Sequence, residues 1–103
     1  MKQITPMQLK EKLESNKITL IDVREANEIQ ICNIKDSVFI PMNEIPNQIN
    51  KLSKENSYAV ICHTGVRSGY VCSYMNNEGY KVQNVQGGIH EWANAVDVNM
   101  TKY

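Results

Sequence analysis

Hydrophobic positions along the chain switch repeatedly between helical and extended spacing. Thr5-Pro6-Met7-Gln8-Leu9 opens a helix: Thr5 can cap it, Pro6 suits its first turn and Gln8 completes a capping box. Ile4 ahead of the cap is placed to staple onto Leu9, Leu9 and Leu13 share a face, and Ser15-Asn16-Lys17 closes the helix. Ile18 to Val23 is a β-branched, nearly continuous apolar run, the pattern of a strand buried on both faces in a parallel sheet. Glu25 to Ile31 predicts a short helix, Ser37 to Ile40 a short strand stopped by Pro41, and Asn43 to Leu52 a helix with Ile45, Ile49 and Leu52 at helical spacing. Tyr58 to Cys62 is the clearest buried strand. Thr64-Gly65 breaks it, and residues 67–77 form a helix with Val71, Tyr74 and Met75 on one face. Gly79 supplies a left-handed stop, Lys81 to Val85 a strand, Gly87-Gly88 a turn, and Ile89 to Asn94 a short helix carrying Trp92.

Strands alternating with helices predict an α/β domain with a mainly parallel sheet. One domain over residues 1–103 suits the length, with its core over about 3–94. The tail 95–103 carries weak signals and reads as partly mobile. A hydrophobic content of 42% supports a packed core. Eleven lysines and arginines balance eleven aspartates and glutamates, so composition offers no footprint for nucleic acid or an anionic membrane. No run approaches the roughly 20 apolar residues of a membrane span, and Met1 to Met7 lacks a secretory apolar stretch, so the expected compartment is the cytoplasm. No long apolar stripe argues for self-association, and a monomer is expected.

Cys32, Cys62 and Cys72 are odd in number and lack paired Cys-x-x-Cys spacing, which argues against a disulfide framework or a zinc site. With only His63 and His90 besides, no metal is expected; free thiols in a reducing compartment remain. In open parallel α/β sheets ligands bind beyond the carboxyl ends of the strands. Cys62 stands at such an end, followed by His63-Thr64-Gly65-Val66-Arg67-Ser68 and then a helix. Backbone amides curled around Cys62, the positive end of that helix and the guanidinium of Arg67 would together stabilise a thiolate, a persulfide or an anionic donor.

Three segments in order carry a family resemblance. Cys62-His63-Thr64-Gly65-Val66-Arg67-Ser68 resembles the active-site loop of rhodanese domains, Asp22-Val23-Arg24-Glu25 the family's signature after an early strand, and Gly87-Gly88-Ile89-His90-Glu91-Trp92 its closing motif. The resemblance spans residues 22–92. It departs at Cys32-Asn33-Ile34-Lys35-Asp36-Ser37, where the family often has Gly-His-Ile-x-Gly-Ala. It implies a five-stranded, largely parallel sheet flanked by helices, with no metal or organic cofactor. It also implies sulfur transfer: Cys62 takes the outer sulfur of a small donor such as thiosulfate, holds it as a persulfide, and yields it to a thiol, cyanide or a sulfur-carrier protein.

Each candidate has a plainer reading. Cys62 could be an inert buried thiol. His63 is expected to point its ring outward and contribute only its amide, and Ser68 either donates to the anion or caps the helix. Arg67 at the positive end of a helix is better accounted for by a bound anion than by solvent. Asp22 and Arg24 are read as a supporting pair that positions the loop, Cys32 and Cys72 as passive, and Trp92 as core. Two rival functions stand beside sulfur transfer. One is phosphatase or arsenate-reductase chemistry on the same fold, whose cradle between cysteine and arginine is one residue longer than the four residues here. The other is a non-catalytic interaction module.

Overall fold

The computed structural model describes residues 2–103. Its strands are β1 (Gln3–Ile4), β2 (Thr19–Asp22), β3 (Val38–Phe39), β4 (Ser57–Ile61) and β5 (Lys81–Val85), in sheet order β1-β5-β4-β2-β3. All four pairings are parallel, with Asp22 opposite Ile61 and Val60 opposite Asn84. Hydrophobic patterning finds β2 to β5; β1 is too short to show as a pattern. Ile4, read as a staple, lies in this edge strand opposite Val85 and is buried in the same core layer as Leu9.

Helices α1 (Pro6–Glu14), α2 (Ala26–Ile31), α3 (Ile45–Gln48), α4 (Val66–Asn77) and α5 (Gly88–Ala95) complete the chain. The α1 capping box forms as read: the Thr5 hydroxyl accepts from the Gln8 amide and the Gln8 side chain accepts from the Thr5 amide. The expected helix over residues 43–52 is broken into a 3-10 turn (Met42–Glu44), the single turn α3, and a second 3-10 turn (Ile49–Lys51). Pro46 is the cause. It has no N–H for an i−4 carbonyl and its ring crowds the preceding turn, so it is tolerated only where a helix begins. Ile45 and Ile49 are buried regardless.

Alternation along the strands sorts the core into two layers. Ile21, Tyr58, Val60 and Cys62 face one side and pack with Ile45, Ile49, Val71, Cys72 and Met75 of α3, α4 and the adjoining turn. Leu20, Ala59, Ile61 and Val85 face the other and pack with Leu9 of α1 and Ile89 and Trp92 of α5. The period-2 switch explains why β2 and β4 are apolar throughout. On α4 the inward face is Ser68, Val71, Cys72 and Met75; Tyr74, expected there, is 38% exposed because Cys72 holds the position nearer the sheet. The tail is docked rather than loose: Val96 and Met100 pack on the second layer, and Tyr103 returns to the carboxyl ends of β2 and β4.

Candidate active site

Strand β4 lies inside the sheet and ends at Ile61, so Cys62 emerges at the carboxyl edge between the β5 and β2 sides. The turn that follows is set by Gly65, whose φ of +107° only glycine adopts freely. The turn is also clamped from α5. The amides of Ile89 and His90 donate to the carbonyls of Cys62 and His63 at 2.9 and 3.1 Å. A Cβ on Gly88 would fall 2.4 Å from the His63 oxygen and 2.6 Å from the Cys62 oxygen, so the approach requires glycine there.

Cys62 is 1% exposed, and its sulfur is ringed by donors. The Gly65 amide donates to Sγ at 3.1 Å, and the Ser68 hydroxyl stands 3.2 Å away. Burial pushes the thiol up. The Ser68 hydroxyl and the amides of Ser68, Gly65 and Thr64 pull the other way and prevail, leaving Cys62 below the ordinary thiol range. Cys72, with no such donors, is pushed up to about 12 by burial and by the nearby Cys62 charge. Two cysteines ten residues apart are thus shifted in opposite directions by their surroundings.

The other loop residues divide. Thr64 and Gly65 turn their amides to the sulfur, while Val66 is 65% exposed and opens α4. His63 contributes neither an amide nor its ring to Cys62. Its carbonyl accepts from α5, its ring stacks on Tyr103 at 3.9 Å and 8°, and its Nε2 lies 2.9 Å from the Tyr103 backbone oxygen. Ser68, fully buried, faces Sγ and also approaches Asn84 Oδ1 at 2.5 Å.

Arg67 has a partner that sequence reasoning did not supply. Its guanidinium forks onto Glu28, at 2.6 Å to Oε1 and 2.9 Å to Oε2. The expected bound anion is therefore not needed to account for this arginine; the Glu28 carboxylate of α2 already compensates it. The Arg67 side chain, burial opposing it, holds Glu28 at about 2. Behind this pair Asp22 and Arg24 are wholly buried and joined by a forked ion pair. Arg24 also donates to the Glu28 and Cys32 carbonyls, at 3.3 and 2.8 Å, and to the Tyr103 hydroxyl at 3.0 Å. The Tyr103 hydroxyl in turn donates a hydrogen bond to Glu28 Oε2 at 2.7 Å. The network ties the loop after β2, α2, the tail and the loop after β4 into one unit.

Glu28, Asn84 and Tyr103 are the site residues missed from sequence. Glu28 reads as an ordinary helix residue, and Tyr103 has no local signal. Asn84 does have one: it is a polar residue buried within a strand, which demands a partner. Among the described residues no group of three His, Cys, Asp or Glu could hold a metal ion, and no helix is long and apolar enough to cross a membrane.

A parallel α/β sheet that presents a cysteine in a cradle of amides defines a class of domain whose loop geometry favours a sulfur anion. The particular family follows from comparison: the chain belongs to the rhodanese-like domain family, whose family model matches residues 5–95. It is 41% identical over 92 residues to the Bacillus subtilis (strain 168) protein named "Putative sulfurtransferase YtwF", covering 88% of this chain and 89% of that protein. It is 33% identical to a sulfurtransferase of Allochromatium vinosum, covering 78% and 76% of the two chains. Among solved structures, a rhodanese-like domain protein from Staphylococcus aureus superposes with a TM-score of 0.86 at 36% identity, covering 100% of this chain and 99% of that one.

Proposed function

We propose that this domain is a sulfurtransferase that carries a sulfane sulfur on Cys62. The observation that carries this reading is the donor ring around one sulfur: the Gly65 amide at 3.1 Å and the Ser68 hydroxyl at 3.2 Å, closed over by the Thr64 and Ser68 amides. In the first step the Cys62 thiolate attacks the outer sulfur of the donor. The donor's S–S bond breaks, and its electron pair leaves on sulfite when the donor is thiosulfate, or on a thiolate when it is an organic persulfide. Cys62 then bears a terminal sulfur with one negative charge. In the second step an acceptor thiolate or cyanide attacks that terminal sulfur, and the Cys62 thiolate leaves. The loop amides stabilise the anion on either side of both steps without a cofactor.

The Arg67–Glu28 pair bears on the donor. A dianion such as thiosulfate meets an arginine whose charge is already matched, so we favour an organic persulfide of low charge as the donor. The same pairing weighs against the phosphatase reading, which needs that arginine for the substrate oxyanion. Val66 and Tyr70, 65% and 71% exposed at the mouth of the loop and one turn into α4, offer an apolar landing for a protein thiol acceptor such as a sulfur carrier. Three free cysteines suit a reducing compartment such as the cytoplasm, and one chain suffices for the chemistry.

Intact mass spectrometry after incubation with thiosulfate and with a small organic persulfide tests the assignment. One added sulfur per chain, mapped to Cys62 and removed by an acceptor thiol, is expected. No addition with either donor, or equal addition to Cys62→Ser, rejects it.

A further inference from the structure

Ser68 Oγ is shared between two neighbours, Cys62 Sγ at 3.2 Å and Asn84 Oδ1 at 2.5 Å. A hydroxyl has one proton to donate. The orientation of the Asn84 amide is dictated from its other end. The Gly65 carbonyl, 3.0 Å from Nδ2, can only accept, so the amino group must face it and Oδ1 must face Ser68. Oδ1 can only accept as well. While Cys62 is a thiol the arrangement is complete: the S–H donates to Ser68 Oγ, the Ser68 O–H donates to Asn84, and Asn84 donates to Gly65.

Loss of the thiol proton leaves two acceptors, the thiolate and Oδ1, and a single donor between them. If Ser68 turns to the sulfur, two oxygen lone pairs confront each other at 2.5 Å in a buried site. If it stays with Asn84, the thiolate loses its hydroxyl donor. We propose that Asn84 is a positioning residue that competes with the Cys62 thiolate for the single proton of Ser68. The loop amides are then the steady support of the anion, and Asn84 sets how much the hydroxyl adds. Its consequence for turnover rests on the sulfur-carrier role proposed above. Once Cys62 carries sulfur, the charge moves to the terminal atom, the inner sulfur becomes a weak acceptor, and Ser68 returns to Asn84. The pair thus favours the loaded carrier over the bare thiolate.

The competition is read without any sulfur donor, so its failure is distinct from failure of the functional reading. Alkylation of Cys62 by iodoacetamide, followed by peptide mass across a pH series, reports its thiolate fraction apart from Cys32 and Cys72. Asn84→Leu is expected to raise that fraction about tenfold at pH values well below the midpoint, and Ser68→Ala to lower it by a similar factor. In the Ser68→Ala background Asn84→Leu is expected to change nothing, since no proton is left to contest. Thermal melts establish that each variant folds, and Asn84→Ala replaces the leucine variant if it does not. An unchanged or reduced thiolate fraction in the Asn84 variant overturns the proposal. So does an equal shift with and without Ser68, which would assign the effect to the Gly65 contact.

Discussion

At the scale of single residues, charge pairing decides what the site can do. Glu28 is held at about 2 against an ordinary value near 4.5, chiefly by the Arg67 guanidinium. A carboxylate lowered on folding stabilises the native state above its ordinary value, and that contribution disappears as pH falls through the folded value. Melting temperature should therefore drop between about pH 4.5 and pH 2 beyond what the other acids cause, and Glu28→Gln should flatten this part of the profile. The same variant frees Arg67 toward the site. It should raise the rate of thiosulfate loading about tenfold, roughly one freed charge-assisted hydrogen bond, while loading from a low-charge persulfide stays within about twofold. An unchanged thiosulfate rate, read by intact mass over time, would remove Glu28 from donor selection. Arg24→Ala acts differently. It leaves the Asp22 carboxyl buried without its ion-pair partner, and should cost about 3–5 kcal/mol in denaturant unfolding.

At the scale of elements, the loop after β4 depends on two neighbours for its shape. Helix α5 holds it from one side through the Cys62 and His63 carbonyls, at a separation only Gly88 permits. Gly88→Ala meets backbone oxygens that cannot swing aside, and its φ of +62° is unfavourable for alanine. It should destabilise the fold by more than about 1 kcal/mol and slow sulfur loading together, measured by melting and by intact mass. Loading at the normal rate in a destabilised variant would show that α5 supports stability alone. Elements also mark where local reading fell short. The 43–52 segment has helical spacing throughout, yet Pro46 splits it, because apolar periodicity survives a break that the backbone cannot bridge. Strand β1 has only two residues, and its pairing partner lies about 80 positions away.

At the scale of the whole molecule, the tail is part of the site. Tyr103 stacks on His63 and relays a hydrogen bond from Arg24 to Glu28. Tyr103→Phe keeps the stack and removes the relay, for an expected loss of about 0.5–1.5 kcal/mol. Hydrogen exchange in α2 and the 62–68 loop should quicken with it; unchanged exchange in both segments would mean the tail merely rests on the surface.

Sequence alone determined the alternation of strand and helix, the breaks at Pro41, Gly65 and Gly79, and the spacing that follows Cys62 with a turn and a helix. These depend on neighbours a few positions apart, which hydrophobic period and backbone freedom encode directly. Only the tertiary structure decided which groups meet across the chain: Glu28 on Arg67, Asn84 on Ser68, Tyr103 on Arg24 and His63. Such partners are selected by strand order and the return of the tail, and a carboxylate, an amide or a phenol carries no local mark of the distant charge or hydroxyl it will satisfy.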